Sequence, residues 1–234
     1  MRQMNGFRKI IQNERGDGLM LVMVGILLTS VFICFVFFDF SNVFINKRVT
    51  QTGADAAALA GAKSSSEYMS EILQEKVEEE LEDVTRSWEA YLAAALDEEK
   101  SIAELFDEFI ESVENSRGKS MPGDIRNYIW SGSGQVEGNP ALRFFFKDNE
   151  ISVMACKAVR DNLPSSYREA TAFAEENQND RLVDYQFLED EFKIYAKTER
   201  NGQYITVPDS SVKAISAQAS IQIGSPKDVQ IACP

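Results

Sequence analysis

Between Leu19 and Phe38 the chain runs for 20 residues, LMLVMVGILLTSVFICFVFF, without a charged side chain. As a helix at ~1.5 Å per residue this run is about 30 Å long, the thickness of a bilayer's hydrocarbon core. A buried helix of a soluble protein rarely lacks a polar face over such a length. The rival reading is a cleaved secretory leader, whose apolar core usually spans about 7–15 residues and ends in small side chains. This run is longer and ends in Phe37-Phe38-Asp39-Phe40. Arg2, Arg8, Lys9 and Arg15 precede it, and Asp39 is the first charge after it. Basic flanks stay in the cytoplasm. The expectation is residues 1–18 inside, 19–38 across a membrane and 39–234 outside, so that the exported part carries the function.

Charge and composition narrow that function. Lys and Arg number 24 against 37 Asp and Glu, a net charge of −13. Nucleic-acid binders need a basic surface, so no nucleic-acid partner is expected. The chain has no histidine. That removes Ser-His and Cys-His nucleophile pairs, His-ligated zinc and an imidazole switch. No metal or cofactor is expected, and the sequence identifies no small-molecule substrate.

Residues 39–62 read DFSNVFINKRVTQTGADAAALAGA. Ala54, Ala56, Ala57, Ala58, Ala60 and Ala62 favour helix. Val43, Phe44, Lys47, Gln51, Ala54, Ala58 and Leu59 fall near a 3.6-residue spacing. The helix through 19–38 is therefore expected to continue unbroken to residue 62. Small residues on one face permit close helix–helix approach; the plainer reading is an Ala-rich helix of good propensity.

Four features of this stretch together are specific: Arg15-Gly16 before the apolar run, Asp39 at its end, Arg48 three residues before Gln51, and Gln51-Thr-Gly-Ala-Asp55-Ala-Ala-Ala-Leu59-Ala-Gly61-Ala62. They resemble the TadE/TadG-like proteins of the Tad (Flp) pilus-assembly system, over about residues 15–62. The family's pilin-like members are cut after a Gly with a Glu at the fifth position beyond. Here Leu21 follows Gly16 and Met23 follows Gly18 at that distance, which is more like the uncleaved TadG-like branch. The resemblance implies a role in assembly. Gly16, Asp39, Gln51, Ala54, Asp55, Ala58, Leu59, Gly61 and Ala62 are the residues it points to, with the small ones packing against similar helices of other subunits.

Residues 63–116 hold 17 acidic residues against Lys63, Lys76, Arg86 and Lys100. Apolar residues from Ile72 through Val113 recur at helical spacing. Ser64-x-x-Glu67 and Ser101-x-x-Glu104 match capping boxes. Two helices are expected, over about 66–97 and 101–116, with a break at Asp97–Lys100 or none. The acidic side chains read as a solvated face. A binding face for a basic partner or divalent cations is the alternative, although Glu78–Asp83 lacks an EF-hand's spacing. Trp88 and Tyr91 read as core contacts.

Residues 117–140 are rich in Gly, Pro and Ser and read as a linker. Beyond it, Leu142–Phe146 reads as a strand, and Ser166-x-x-Glu169 as the start of a short helix to about Asn177. Ile151–Asn162 fits strand or helix. Val183–Phe187, Phe192–Ala196 and Ile215–Ile223 alternate as strands, the last with Ser216, Gln218, Ser220 and Gln222 toward water. Asn201-Gly202 is a hairpin signal. The expected domain over 141–234 is a small antiparallel sheet with one or two helices. Cys34 lies in the apolar run, while Cys156 and Cys233 lie where disulfides form. They are expected to pair, the rival being two free thiols.

No motif sets a nucleophile beside a base. Lys63 precedes Ser64-Ser65-Ser66 without the S-x-x-K spacing, and no carboxylate pair stands out for glycosidase chemistry. The expected fold is α+β and membrane-anchored: a long N-terminal transmembrane helix continuing outside, acidic amphipathic helices, then the sheet domain. The expected function is structural, as a single-pass pseudopilin-like or adaptor subunit, without catalysis. The alternative is a membrane-tethered adhesive or ligand-binding domain.

Overall fold

The computed structural model describes residues 15–95 and 100–234. Arg2, Arg8 and Lys9, and the expected helix end at Asp97, lie outside the described residues. The architecture is α+β, built on one helix, α1, which runs without interruption over Arg15–Ala94. At ~1.5 Å per residue its 80 residues span about 120 Å.

Two surfaces divide α1. Every side chain from 18 to 38 is exposed, and this stretch is long and apolar enough to cross a membrane by length and composition. From Thr50 onward one stripe is buried: Thr50, Ala54, Ala57, Ala58, Ala62, Met69, Leu73, Val77, Leu81, Val84 and Trp88. These positions recur every three or four residues, the spacing that puts side chains on one helix face. The carboxylates of Glu67, Glu71, Glu75, Glu78, Glu79 and Glu82 fall off that stripe, on exposed positions.

The rest of the chain covers the stripe. At the far end, α2 (Ile102–Arg117) folds back antiparallel to α1. Trp88 meets Phe106 and Phe109 at 5.0 and 5.4 Å between ring centroids, and Arg117 pairs with Glu80 at 2.7 Å. Its start is the expected capping box: Ser101 Oγ accepts the Glu104 N–H, and the Ser101 N–H donates to Glu104. Helices α3 (Gly123–Ser131) and α4 (Gly138–Phe145) close this end through Ile125, Ile129, Leu142, Phe144 and Phe145.

Helix α5 (Asp148–Glu176) runs antiparallel along α1. Asn162 meets Ser64, and Ala170 and Ala174 meet Ala57 and Ala58. Strands β1 (Arg181–Leu188), β2 (Lys193–Arg200) and β3 (Ile215–Gln222) form an antiparallel sheet in the order β1-β2-β3. The β1–β2 register shifts once between Leu182 and Asp184. Gln218, Ser220 and Gln222 are exposed and Ser216 half-buried. A disulfide joins Cys156 on α5 to Cys233, with the Cα atoms 5.7 Å apart. It holds the tail after β3 on α5, where the Ser152 hydroxyl also takes the Ala232 N–H at 3.3 Å.

Several expectations are corrected. No helix begins near residue 66. Ser64 is helical and buried inside α1, and its carbonyl and hydroxyl oxygens both accept from Asn162 Nδ2, at 3.1 and 3.3 Å. The stretch 117–140 holds helix α3 and the start of α4 rather than a linker. Leu142–Phe146 is the end of a helix and not a strand. Arg117 donates to Phe145 O at 2.8 Å and Lys119 to Phe146 O at 3.0 Å, so two cations satisfy the helix's last carbonyls. Ser166 does not open a helix: α5 starts at Asp148 and takes in Ile151–Asn162 and Pro164. Asn201-Gly202 is not a two-residue hairpin turn, because β2 and β3 are joined by the longer loop 201–214.

Candidate functional site

The segment of α1 between Asp39 and Ala62 is held by the C-terminal half of its own chain. Three side-chain rows organise it.

The first row is polar and begins at Asp39. This side chain is 7% exposed. Its Oδ1 accepts the Ile205 N–H at 2.7 Å, and its Oδ2 accepts both the Thr206 N–H at 2.7 Å and the Thr206 hydroxyl. The Thr206 hydroxyl, helped by the two N–H groups and opposed by burial, holds the Asp39 carboxyl below the usual carboxylate range. One turn on, Asn42 Nδ2 donates to Gln203 O at 3.4 Å. Lys47 Nζ donates to Ser216 O at 2.7 Å. Gln51 Nε2 donates to Gln218 O at 3.2 Å and to Asp55 Oδ1 at 2.9 Å.

The second row is buried and small. Thr50 is fully buried, and its carbonyl accepts from Thr198 Oγ1 at 3.2 Å and Asn179 Nδ2 at 3.4 Å. Gly53 makes room for Asn179: a Cβ there would lie 1.4 Å from Nδ2. Gly61 makes room for Tyr185, whose hydroxyl would lie 2.2 Å from such a Cβ. Between these glycines Ala54, Ala57 and Ala58 are fully buried; Ala57 and Ala58 cluster with Ala170, Ala174, Leu182 and Ala196. The Tyr185 hydroxyl donates to Ser166 Oγ at 2.9 Å. Burial pushes its phenol up to about 12, against the opposing effect of that hydrogen bond.

The third row faces outward. Leu59 is 58% exposed, and Asp55, Thr52 and Arg48 are exposed with it. Gly16 lies in the first turn of α1.

The residues singled out from sequence on this segment thus separate into three groups. Ala54, Ala58, Gly61 and Ala62 face inward, and the partners they pack against belong to this chain. Asp55 and Leu59 face solvent, and Asp39 and Gln51 bind backbone of the C-terminal half. The small face is filled in cis because α5 and the sheet return along it. Thr50, Gly53, Asn179, Tyr185 and Thr206 escaped the sequence reading. A glycine at 53 inside an otherwise Ala-rich helix was the one available signal, since helical glycine carries a cost that close packing can offset.

Among the described residues no group of three or more His, Cys, Asp or Glu is placed to hold a metal ion. The polar groups of the first row are spent on hydrogen bonds within the chain, most of them to backbone atoms.

Residues 18–64, about a fifth of the chain, match the family model described as putative Flp pilus-assembly TadE/G-like. The match covers the exposed apolar run together with the segment that the C-terminal half clasps. No curated protein and no solved structure matches the chain.

Proposed function

We propose that this chain is a single-pass, membrane-anchored subunit of a Tad/Flp-type pilus-assembly or secretion apparatus. It acts as a pseudopilin-like or adaptor component and not as a catalyst. The observation that carries the reading is one helix with two surfaces. Residues 18–38 are apolar and exposed on every side, as a helix in lipid is, and they continue into the segment matched by the pilus-assembly model. The basic residues ahead of the run favour an N-terminus in the cytoplasm and residues 39–234 outside.

The mechanism follows from the cis packing. A helix that both spans the bilayer and forms the spine of the exported domain leaves no flexible joint at the membrane surface. Asp39, Lys47 and Gln51 tie the sheet and its loop to the spine within the first turns outside. A load on the exported domain is then transmitted along α1. The groups left for other subunits are outward ones: Arg48, Thr52, Asp55 and Leu59 on α1, and the apolar run itself.

Site-specific photo-crosslinking in the native cell tests this. A photoreactive residue replacing Leu59 is expected to give adducts containing another component of the pilus apparatus, while one replacing buried Ala58 gives none. Adducts with a host or matrix molecule alone would favour a tethered adhesive domain instead. Absence of adducts from Leu59, Asp55 and Thr52 alike would contradict assembly through this face.

A further inference from the structure

The loop 201–214 reaches farther toward the apolar run than any other described part of the C-terminal half whose contact with α1 is a hydrogen bond. Gln203 pairs with Asn42, and Ile205 and Thr206 pair with Asp39. Moving along the loop from 203 to 206 therefore moves down α1 from 42 to 39. The chain then climbs back, with Ser216 at Lys47 and Gln218 at Gln51. The strand before the loop meets α1 at Thr50 through Thr198. At ~1.5 Å per residue, the loop's contact at Asp39 lies about 18 Å closer to the apolar run than the contact at Gln51.

That height matters. Asp39 directly follows Phe38, the last residue of the uncharged run. The headgroup layer adds about 5–7 Å on each side of the hydrocarbon. With residues 19–38 filling the hydrocarbon, the loop tip sits within the headgroup layer.

The tip is built for such a place. Ile205 is 57% exposed and Val207 is 42% exposed. On the same turns α1 exposes Phe40 and Phe44, packed edge to face at 4.9 Å. The backbone N–H groups of Ile205 and Thr206 are both consumed by Asp39. Pro208, which follows Val207, has no N–H to satisfy. Unpaired backbone donors are what a lipid boundary penalises. Two large apolar side chains at this height, beside Ile205 and Thr206 donors that are already paired, fit lipid as the occupant.

We propose that residues 204–207 form a second lipid contact beside the membrane span. Ile205 and Val207 enter the boundary between headgroups and acyl chains, and the Asp39 clamp sets their depth. Two contacts fix the rotation and tilt of the exported domain on the membrane, which one span cannot do. The inference rests on the reading of residues 19–38 as a membrane anchor.

Spin-label depth measurements on the full chain test it, in nanodiscs of phosphatidylcholine and phosphatidylglycerol. Cys34→Ser removes the free thiol, and single labels are placed by Val31→Cys, Val207→Cys or Leu59→Cys. Collision with oxygen and with a water-soluble nickel chelate reports depth. The expected result is a Val31 site shielded from nickel, a Leu59 site open to it, and a Val207 site several-fold less accessible than Leu59. Adding Asp39→Ala is expected to raise nickel access at Val207 and leave Val31 unchanged. A Val207 site as open as Leu59, with Val31 still shielded, would overturn the loop contact and leave the anchor standing. A Val31 site as open as Leu59 would overturn the anchor and the inference with it. Shielding of Val207 that persists in amphipol without lipid would mean a protein partner and would overturn the lipid assignment.

Discussion

Asp39 and Thr206 stand 167 positions apart and are joined twice, since one carboxylate oxygen of Asp39 takes both the backbone N–H and the hydroxyl of Thr206. The adjoining N–H of Ile205 goes to the other oxygen. The residue that ends the apolar run is thus also the residue that pins the loop between β2 and β3. Charge-assisted bonds to backbone N–H groups are the strong class, so the clamp fastens this loop to α1.

The clamp carries a pH dependence whose sign is fixed. The hydrogen bonds hold the folded Asp39 carboxyl below its ordinary value of 3.8. Its contribution to order is therefore complete above that value and is lost as pH falls through the lower, folded value. Protection of the Ile205 and Thr206 amides, taken relative to intrinsic exchange at each pH, is expected to be complete at neutral pH and to be lost in acid as Asp39 takes up its proton, ahead of protection in β2. Thr206→Val is expected to move the carboxyl back toward 3.8, which a carboxyl titration by NMR reads directly. An Asp39 titration unaffected by Thr206→Val would contradict the clamp.

Among the described glycines, Gly53 leaves the least room for a side chain. Gly53→Ala is expected to destabilise by roughly 1–3 kcal/mol, as overpacking of a well-filled interior does. The gain in helix propensity from the same change is only about 1 kcal/mol. Combining it with Asn179→Ala removes the clash, so the double variant is expected to lose less than the sum of the two single changes. Thermal melts of the four proteins measure this, and strict additivity would count against the contact.

Ala58 and Leu59 are neighbours with opposite expectations. Ala58→Leu inserts a large side chain between α1 and the cluster of Ala170, Ala174 and Ala196, so a loss of roughly 1–3 kcal/mol is expected in the isolated protein. Leu59→Ala is expected to stay within about 0.5 kcal/mol, since its side chain faces solvent. Equal stability of the two variants would contradict packing in cis.

Tyr185 gives the fold an alkaline limit. Its phenol is raised from 10.0 to about 12 by burial, so the folded state holds its proton more tightly than the unfolded one. Stability is then expected to fall as pH rises above 10. Tyr185→Phe removes that slope while leaving the ring in place. An unchanged slope in the variant, followed by denaturant melts across the alkaline range, would contradict the assignment.

What could be read from sequence was what local signals decide. The uncharged run, the Ser101 and Glu104 capping pair, and the alternation of β1, β2 and β3 are each complete within a few residues. The errors arose where a distant group overrides a local signal. Ser64-x-x-Glu67 looks like a helix start, but Asn162, 98 positions away, occupies the Ser64 oxygens and the helix simply continues. Leu142–Phe146 alternates like a strand, yet Arg117 and Lys119 satisfy its terminal carbonyls as a helix. Asn201-Gly202 suggests a tight hairpin, but Asp180 takes the Asn201 N–H and Nδ2 at 2.6 and 2.8 Å, and Asp39 holds the rest of the loop. The small face of residues 54–62 was legible as a packing surface. Which chain would fill it was not, because an alanine stripe carries no record of its partner.

A clean deletion with plasmid complementation tests the proposed role in a pilus-assembly apparatus. Surface filaments are counted by electron microscopy in the parent, the deletion and the complemented strain. The expected result is loss of filaments in the deletion, full rescue by the native gene, and no rescue by a gene carrying Ala58→Leu. Normal filament numbers in the deletion strain would contradict it.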